Sequence, residues 1–103
     1  MQNVTNAVQA AKAAAQAAAQ AQAHAQAPEG YAYVQVYGLD DDGDFARALQ
    51  GQGFAKSFDG EYYLLMDFVA AQNLQAQEAA ADAAAHVLSN MLNVEFTADM
   101  RMY

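Results

Sequence analysis

From Ala10 to Gln26 the chain reads AAKAAAQAAAQAQAHAQ, with one lysine, one histidine and otherwise only alanine and glutamine. No other stretch limits the fold as much. Alanine is the strongest helix former, but it has too little side chain to build a core of its own. Such a segment is expected to be a helix that must lie against something else. Val4, Val8, Ala11, Ala15 and Ala18 recur at four-three spacing as a small-residue seam, while Thr5, Gln9, Lys12, Gln16, Gln20 and His24 form a polar stripe. Thr5 or Asn6 can cap the start, and Pro28-Glu29-Gly30 can end it. A disordered tail would carry more charge, proline or serine. A helix of roughly 24 residues is ~36 Å long and a six-residue strand only ~20 Å. Pinned by so short a linker, the helix is expected to overhang its own domain by ~15 Å, the overhang being completed by another chain.

After Gly30 the period changes from helical to two. YAYVQVYG places Tyr31, Tyr33, Gln35 and Tyr37 on one face of a strand and Ala32, Val34 and Val36 on the other. LDDDGDFARALQGQG predicts a turn into a short helix capped by Asp44, with Phe45, Ala48 and Leu49 inward and Gly51 or Gly53 as its stop. FAKSFDGEYYLLMDF predicts a hairpin about Asp59-Gly60. A long helix from about Ala71 to Asn93 and a last strand, VEFTADMRMY, complete the chain. The string is a helix followed by β-α-β-β-α-β, an α+β fold of ferredoxin-like two-layer type. Residues 1–27 are read as the packing helix and 28–103 as the ferredoxin-like domain. Val34, Val36, Leu64, Met66, Phe68, Phe96 and Met100 are expected beneath the helices. Tyr31, Tyr33, Tyr37 and Tyr63, with Leu65, are expected on the opposite face. Phe45, Leu49, Phe54, Phe58, the Tyr62–Phe68 run, Leu88, Leu92 and Phe96 are the expected core anchors, because 27 of the hydrophobic residues are alanine.

Composition narrows the function. The net charge is −8, with only Lys12, Arg47, Lys56 and Arg101 positive, so no basic patch is available for nucleic acid or an anionic membrane. The absence of cysteine removes disulfides, thiolate metal sites and thiol nucleophiles. Glutamine interrupts each apolar run near the N-terminus and no basic segment precedes it. Neither a signal peptide nor a membrane span is expected, which leaves the cytoplasm or a virion.

Two clusters invite a chemical reading. DDDGD, Asp40 to Asp44, has the acidity of a calcium loop. Its glycine is misplaced, and Gly51 occupies the position where an EF-hand has its last glutamate. Acidic residues in a strand-to-helix turn are explained by the positive end of the helix dipole. Glu78, Asp82 and His86 stand at i, i+4 and i+8, a spacing that suits an acid–base pair or a metal, within a stripe of Gln, Ser and Asn. That stripe reads as a solvated helix face with an intrahelical Asp–His pair. No catalytic, cofactor-binding or metal-binding residue is therefore assigned.

VYGL (Val36–Leu39) and DGEYYLLMDF (Asp59–Phe68) fall where an RNA recognition motif carries its two short motifs, so the element order resembles that family. Asp59 stands where that motif opens with a base, and Glu61 where its first aromatic stands, so no function is carried over. The expectation is a non-catalytic protein–protein interaction or assembly protein, a homo-oligomer or a subunit of a larger assembly. The concrete setting is a small structural subunit of a viral particle, a capsid-decorating or tail component. Its interaction residues would be Val4, Val8, Ala11, Ala15, Ala18, Tyr31, Tyr33, Tyr37 and Tyr63. The alternatives are a small acidic inhibitor occupying a basic nucleic-acid-binding site on a target protein, and a non-catalytic subunit of an enzyme complex.

Overall fold

A computed structural model describes residues 2–22, 30–66 and 73–102. The elements run α1 (Gln2–Ala21), β1 (Gly30–Tyr37), α2 (Asp44–Gly51), β2 (Ala55–Lys56), β3 (Tyr62–Leu65), α3 (Leu74–Leu92) and β4 (Thr97–Met102). The four strands form one antiparallel sheet in the order β2-β3-β1-β4, the ferredoxin-like arrangement, preceded by the long N-terminal helix.

The ends of the elements have local causes. Gly53, at φ +107°, closes α2: its N–H donates to Gln50 O, and the N–H of Phe54 donates to Leu49 O at 3.1 Å. This is the paired reverse bonding of a glycine-terminated helix, with Leu49 and Phe54 both buried beside it. The residue capping α2 is Gly43, not Asp44, which lies inside the first turn. Asn73 caps α3, its side-chain oxygen accepting the Ala76 N–H at 2.7 Å, and Asn93 ends it in the left-handed region at φ 56°. The expected helix start at Ala71 lies outside the described residues, as does the Pro28-Glu29 stop. Thr5 and Asn6 are inside α1 rather than capping it. Thr5 Oγ1 instead accepts a hydrogen bond from Gln52 Nε2 at the end of α2.

Over the described residues the expected overhang is absent. α1 runs antiparallel along α3, since Gln22 at its end meets Asn73 and Gln75 at the start of α3, with Gln75 Nε2 donating to Gln22 Oε1 at 2.9 Å. The relevant length is that of the partner helix, not of a strand: α1 has 20 residues and α3 has 19. Val4, Val8, Ala11 and Ala15 are fully buried within the chain, joined by Ala7 and by Ala19, while Ala18 is half-buried. On α3, Ala76, Ala80, Ala81, Ala84, Ala85 and Leu88 are buried, in packing shared between α1 and the sheet. Small side chains on both helices permit the close approach. The seam assigned to a second chain is thus filled by α3 and the core, and one apolar core runs across the composition boundary at 27/28. Ala11→Leu with Ala15→Leu should accordingly lower the stability of the whole fold by about 1–3 kcal/mol per site through overpacking, read from urea denaturation. An unchanged midpoint would mean that the seam is loose.

The second correction concerns β3. Val34 pairs with Leu65 and Val36 with Tyr63, so Tyr63 and Leu65 share the helix-covered face, where both are buried. Leu64, opposite Gln35, lies on the other face, and Met66 is exposed. Phe68 lies outside the described residues. β3 thus runs one residue out of the expected phase. Val34, Val36 and Phe96 are buried as expected, with the Phe54 and Phe96 rings meeting edge to face at 6.0 Å. Met100 stands opposite Ala32 on the helix side of the sheet but remains exposed. Phe58 is not an anchor. The hairpin needs a four-residue loop, Phe58–Glu61, closed by Ser57 N–H to Tyr62 O at 2.8 Å, and Phe58 at its tip is fully exposed.

Two polar residues inside this packing have structural work. Beyond the last described β1–β3 pair, the Ala32 N–H donates to the buried Gln77 Oε1 at 3.3 Å, so a helix side chain completes the strand's bonding. Ser89 Oγ accepts the Phe96 N–H at 2.9 Å and lies 2.8 Å from Ala85 O, which ties the α3–β4 connection to the helix.

Candidate functional site

With the helices on one side, the alternation of β1, β3 and β4 collects a second set of side chains on the open side. Tyr31, Tyr33, Gln35 and Tyr37 come from β1, Tyr62 and Leu64 from β3, and Thr97 and Asp99 from β4. Three of the four expected tyrosines are present, and Tyr62 takes the place of Tyr63. Tyr33 is only 4% exposed, and its hydroxyl donates to Asp99 Oδ2 at 3.1 Å, so its polar end is already occupied. The other Asp99 oxygen accepts the Met100 N–H at 2.8 Å. The accessible aromatic surface is therefore at the hairpin end of the face. There Tyr37, 54% exposed, packs against Tyr62 with ring centroids 4.9 Å apart and planes at 35°. An offset, tilted pair at this distance holds both rings in place.

The charge around this pair is negative. The Tyr37 hydroxyl is pushed above its ordinary pKa by partial desolvation, then by Tyr62 and by the carboxylates of Asp59, Glu61 and Asp99. Asp59 is held below the usual carboxylate range because it accepts the Glu61 N–H and the Ser57 hydroxyl, so it keeps its charge and shapes the loop. Beside Tyr37 the sheet face dips into an open hollow of about 280 Å³ lined by Tyr37, Val94, Glu95 and Thr97. Glu95 is exposed. Among the described residues it has no hydrogen-bond or ion-pair partner.

The other candidates resolve into structural roles. Asp41 accepts hydrogen bonds from Lys56 Nζ and from Tyr63 Oη, each at 2.6 Å, and so clasps the acidic turn to the hairpin. Those two donors hold its carboxyl below the ordinary range, and the same hydrogen bonds raise both Lys56 and Tyr63, desolvation adding to the rise of Tyr63. Asp40 Oδ1 accepts the Asp42 N–H, and its carbonyl accepts the Gly43 N–H, bonds that belong to the turn itself. On α3, His86 Nε2 lies 3.1 Å from Asn90 Nδ2, in place of the expected pairing with Asp82. Glu78 and Asp82 instead border a hollow of about 140 Å³ together with Ala32, Ala98, Asp99 and Met100. Among the described residues no group of three or more His, Asp or Glu side chains is placed to hold a metal ion, and no helix is long and apolar enough to cross a membrane. His24 lies outside them.

Sequence reading missed Tyr62, Val94, Glu95 and Thr97 as neighbours of Tyr37. The signal is available in part: Tyr37 and Thr97 fall in the odd phase of their strands, and Glu95, just before β4, continues that phase. The pairing of β4 with β1 brings them together. Compared with known proteins, the chain matches no family model, no curated protein and no solved structure.

Proposed function

We propose that the chain is a non-catalytic protein-interaction subunit that docks through the hairpin end of its open sheet face. The observation that carries the reading is the Tyr37–Tyr62 pair, Tyr37 exposed and Tyr62 half-buried, set among the carboxylates of Asp59, Glu61 and Asp99. With the α1 seam closed inside the chain, this face takes over the interaction role expected of the helix. Tyrosine supplies rigid contact area at low entropic cost, and fixed charge chooses the partner. Two copies meeting through this end would bring like charges together, so the partner is a different, basic surface. In a larger assembly the chain would then be an accessory subunit, and a viral particle remains the setting proposed for it.

The same carboxylates favour a second reading, an acidic inhibitor seated on a basic nucleic-acid-binding site. Competition separates the two. Partner capture from the source should be lost in both cases for Tyr37→Ser. An inhibitor should be displaced by the nucleic acid whose site it occupies, whereas an assembly contact should persist; raised salt should weaken both, because the partner surface is basic in each. Native mass measurement of the purified chain should give a monomer. A stable homodimer that withstands Tyr37→Ser and high salt would overturn the proposal.

A further inference from the structure

Resting on that reading, we infer that the hollow beside Tyr37 is an arginine-binding site, which receives a guanidinium from a basic segment of the partner. Its walls fit the parts of that side chain in turn. The phenol ring of Tyr37 offers a flat face held by Tyr62, on which a planar cation stacks. Glu95 supplies a carboxylate with no partner among the described residues, able to take two parallel N–H bonds. Thr97 adds a hydroxyl acceptor, and Val94 an apolar surface for the methylenes. Thr97 pairs with Gln35, so it stands on the same open face as Tyr37, two residues along β1.

Charge decides the occupant. A neutral aromatic or aliphatic group would leave the Glu95 carboxylate partly desolvated and unpaired, and an anion would meet that same carboxylate as a like charge. Lysine carries the right charge, but as a compact ammonium it cannot stack on the ring and bridge both carboxylate oxygens in one plane. The hollow is open to solvent, so the contact is one of specificity and modest affinity, and several arginines in a basic segment would act together.

The test uses the full-length chain and an eight-residue peptide of alternating arginine and glycine, followed by amide and side-chain NMR shifts. The arginine peptide should move Tyr37, Val94, Glu95 and Thr97 first. Glu95→Gln should weaken binding roughly five- to tenfold, and Tyr37→Leu by a similar factor, consistent with the loss of a charge-assisted or cation–π contact. Glu78→Gln, which removes the same charge on α3, should leave it within about twofold. A lysine–glycine peptide should bind more weakly, and a citrulline peptide should not bind. Equal weakening by Glu78→Gln and Glu95→Gln, or equal affinity for lysine and arginine, would reduce the effect to non-specific attraction and overturn the inference. The two proposals fail separately. If Tyr37→Ser abolishes capture of the source partner while the arginine peptide does not bind, the docking face stands and the guanidinium assignment falls. If the peptide binds as expected while the source partner ignores Tyr37→Ser, the site stands and the docking proposal falls.

Discussion

Removing residues 1–22 should abolish cooperative folding rather than trim an appendage. α1 contributes Val4 and Val8, two of the largest fully buried side chains, together with Ala7, Ala11, Ala15 and Ala19. Loss of the segment would also uncover part of α3 and leave Gln52 without Thr5, and Asn73 and Gln75 without Gln22. Burying the two valines alone is worth roughly 1.5–3 kcal/mol each, against a total stability of about 5–15 kcal/mol for a domain of this size. The alanines and the exposed α3 face add to that loss. The truncated chain should keep part of its helical circular dichroism but show no cooperative thermal transition and no fixed near-ultraviolet signal. Adding back a peptide of residues 1–22 should restore the transition, because the docking surface is complementary over the full length of the helix. A truncated chain that melts as sharply as the intact one, at a similar temperature, would show that α1 is dispensable.

Leu88→Asp should be the most damaging single substitution on α3. Leu88 is fully buried in the core. The change forfeits roughly 1.5–3 kcal/mol of apolar burial and places a carboxylate in the apolar core, a further cost of several kcal/mol. The sum is comparable with the whole stability, so the variant should be unfolded or aggregated without denaturant. Met91→Asp, three residues on and half-exposed, controls for charge and helix propensity and should stay within about 1 kcal/mol of the parent. Equal urea midpoints for the two variants would mean that α3 packs with a different face.

The corrections share a physical origin. YYLLMDF offers apolar side chains in both phases of a strand, so alternation cannot say whether Tyr62 and Leu64 or Tyr63 and Leu65 point inward. The pairing of Val36 with Tyr63 decides it, and the Tyr63 hydroxyl then reaches Asp41. Phe58 reads as a core anchor by residue type, yet the loop needed to close Ser57 on Tyr62 puts it at the hairpin tip. The N-terminal seam announces close packing, because only small residues line it, but says nothing about which surface it meets. Comparing the helix with strand length suggested a second chain, whereas α3 matches its length within this one.

What local sequence determined was the kind and order of the elements. The alanine run, the change of period after Gly30, the glycine after α2 and the Asn73 and Asn93 caps act over a few residues each, through propensity and backbone geometry. From them the ferredoxin-like string and its leading helix follow. The tertiary structure alone decided the phase of β3, the closing of α1 on α3, and the meeting of Tyr37 with Tyr62, Glu95 and Thr97. Those are relations between segments distant in the chain. They are set by register and by competition for one buried surface, which no local period records.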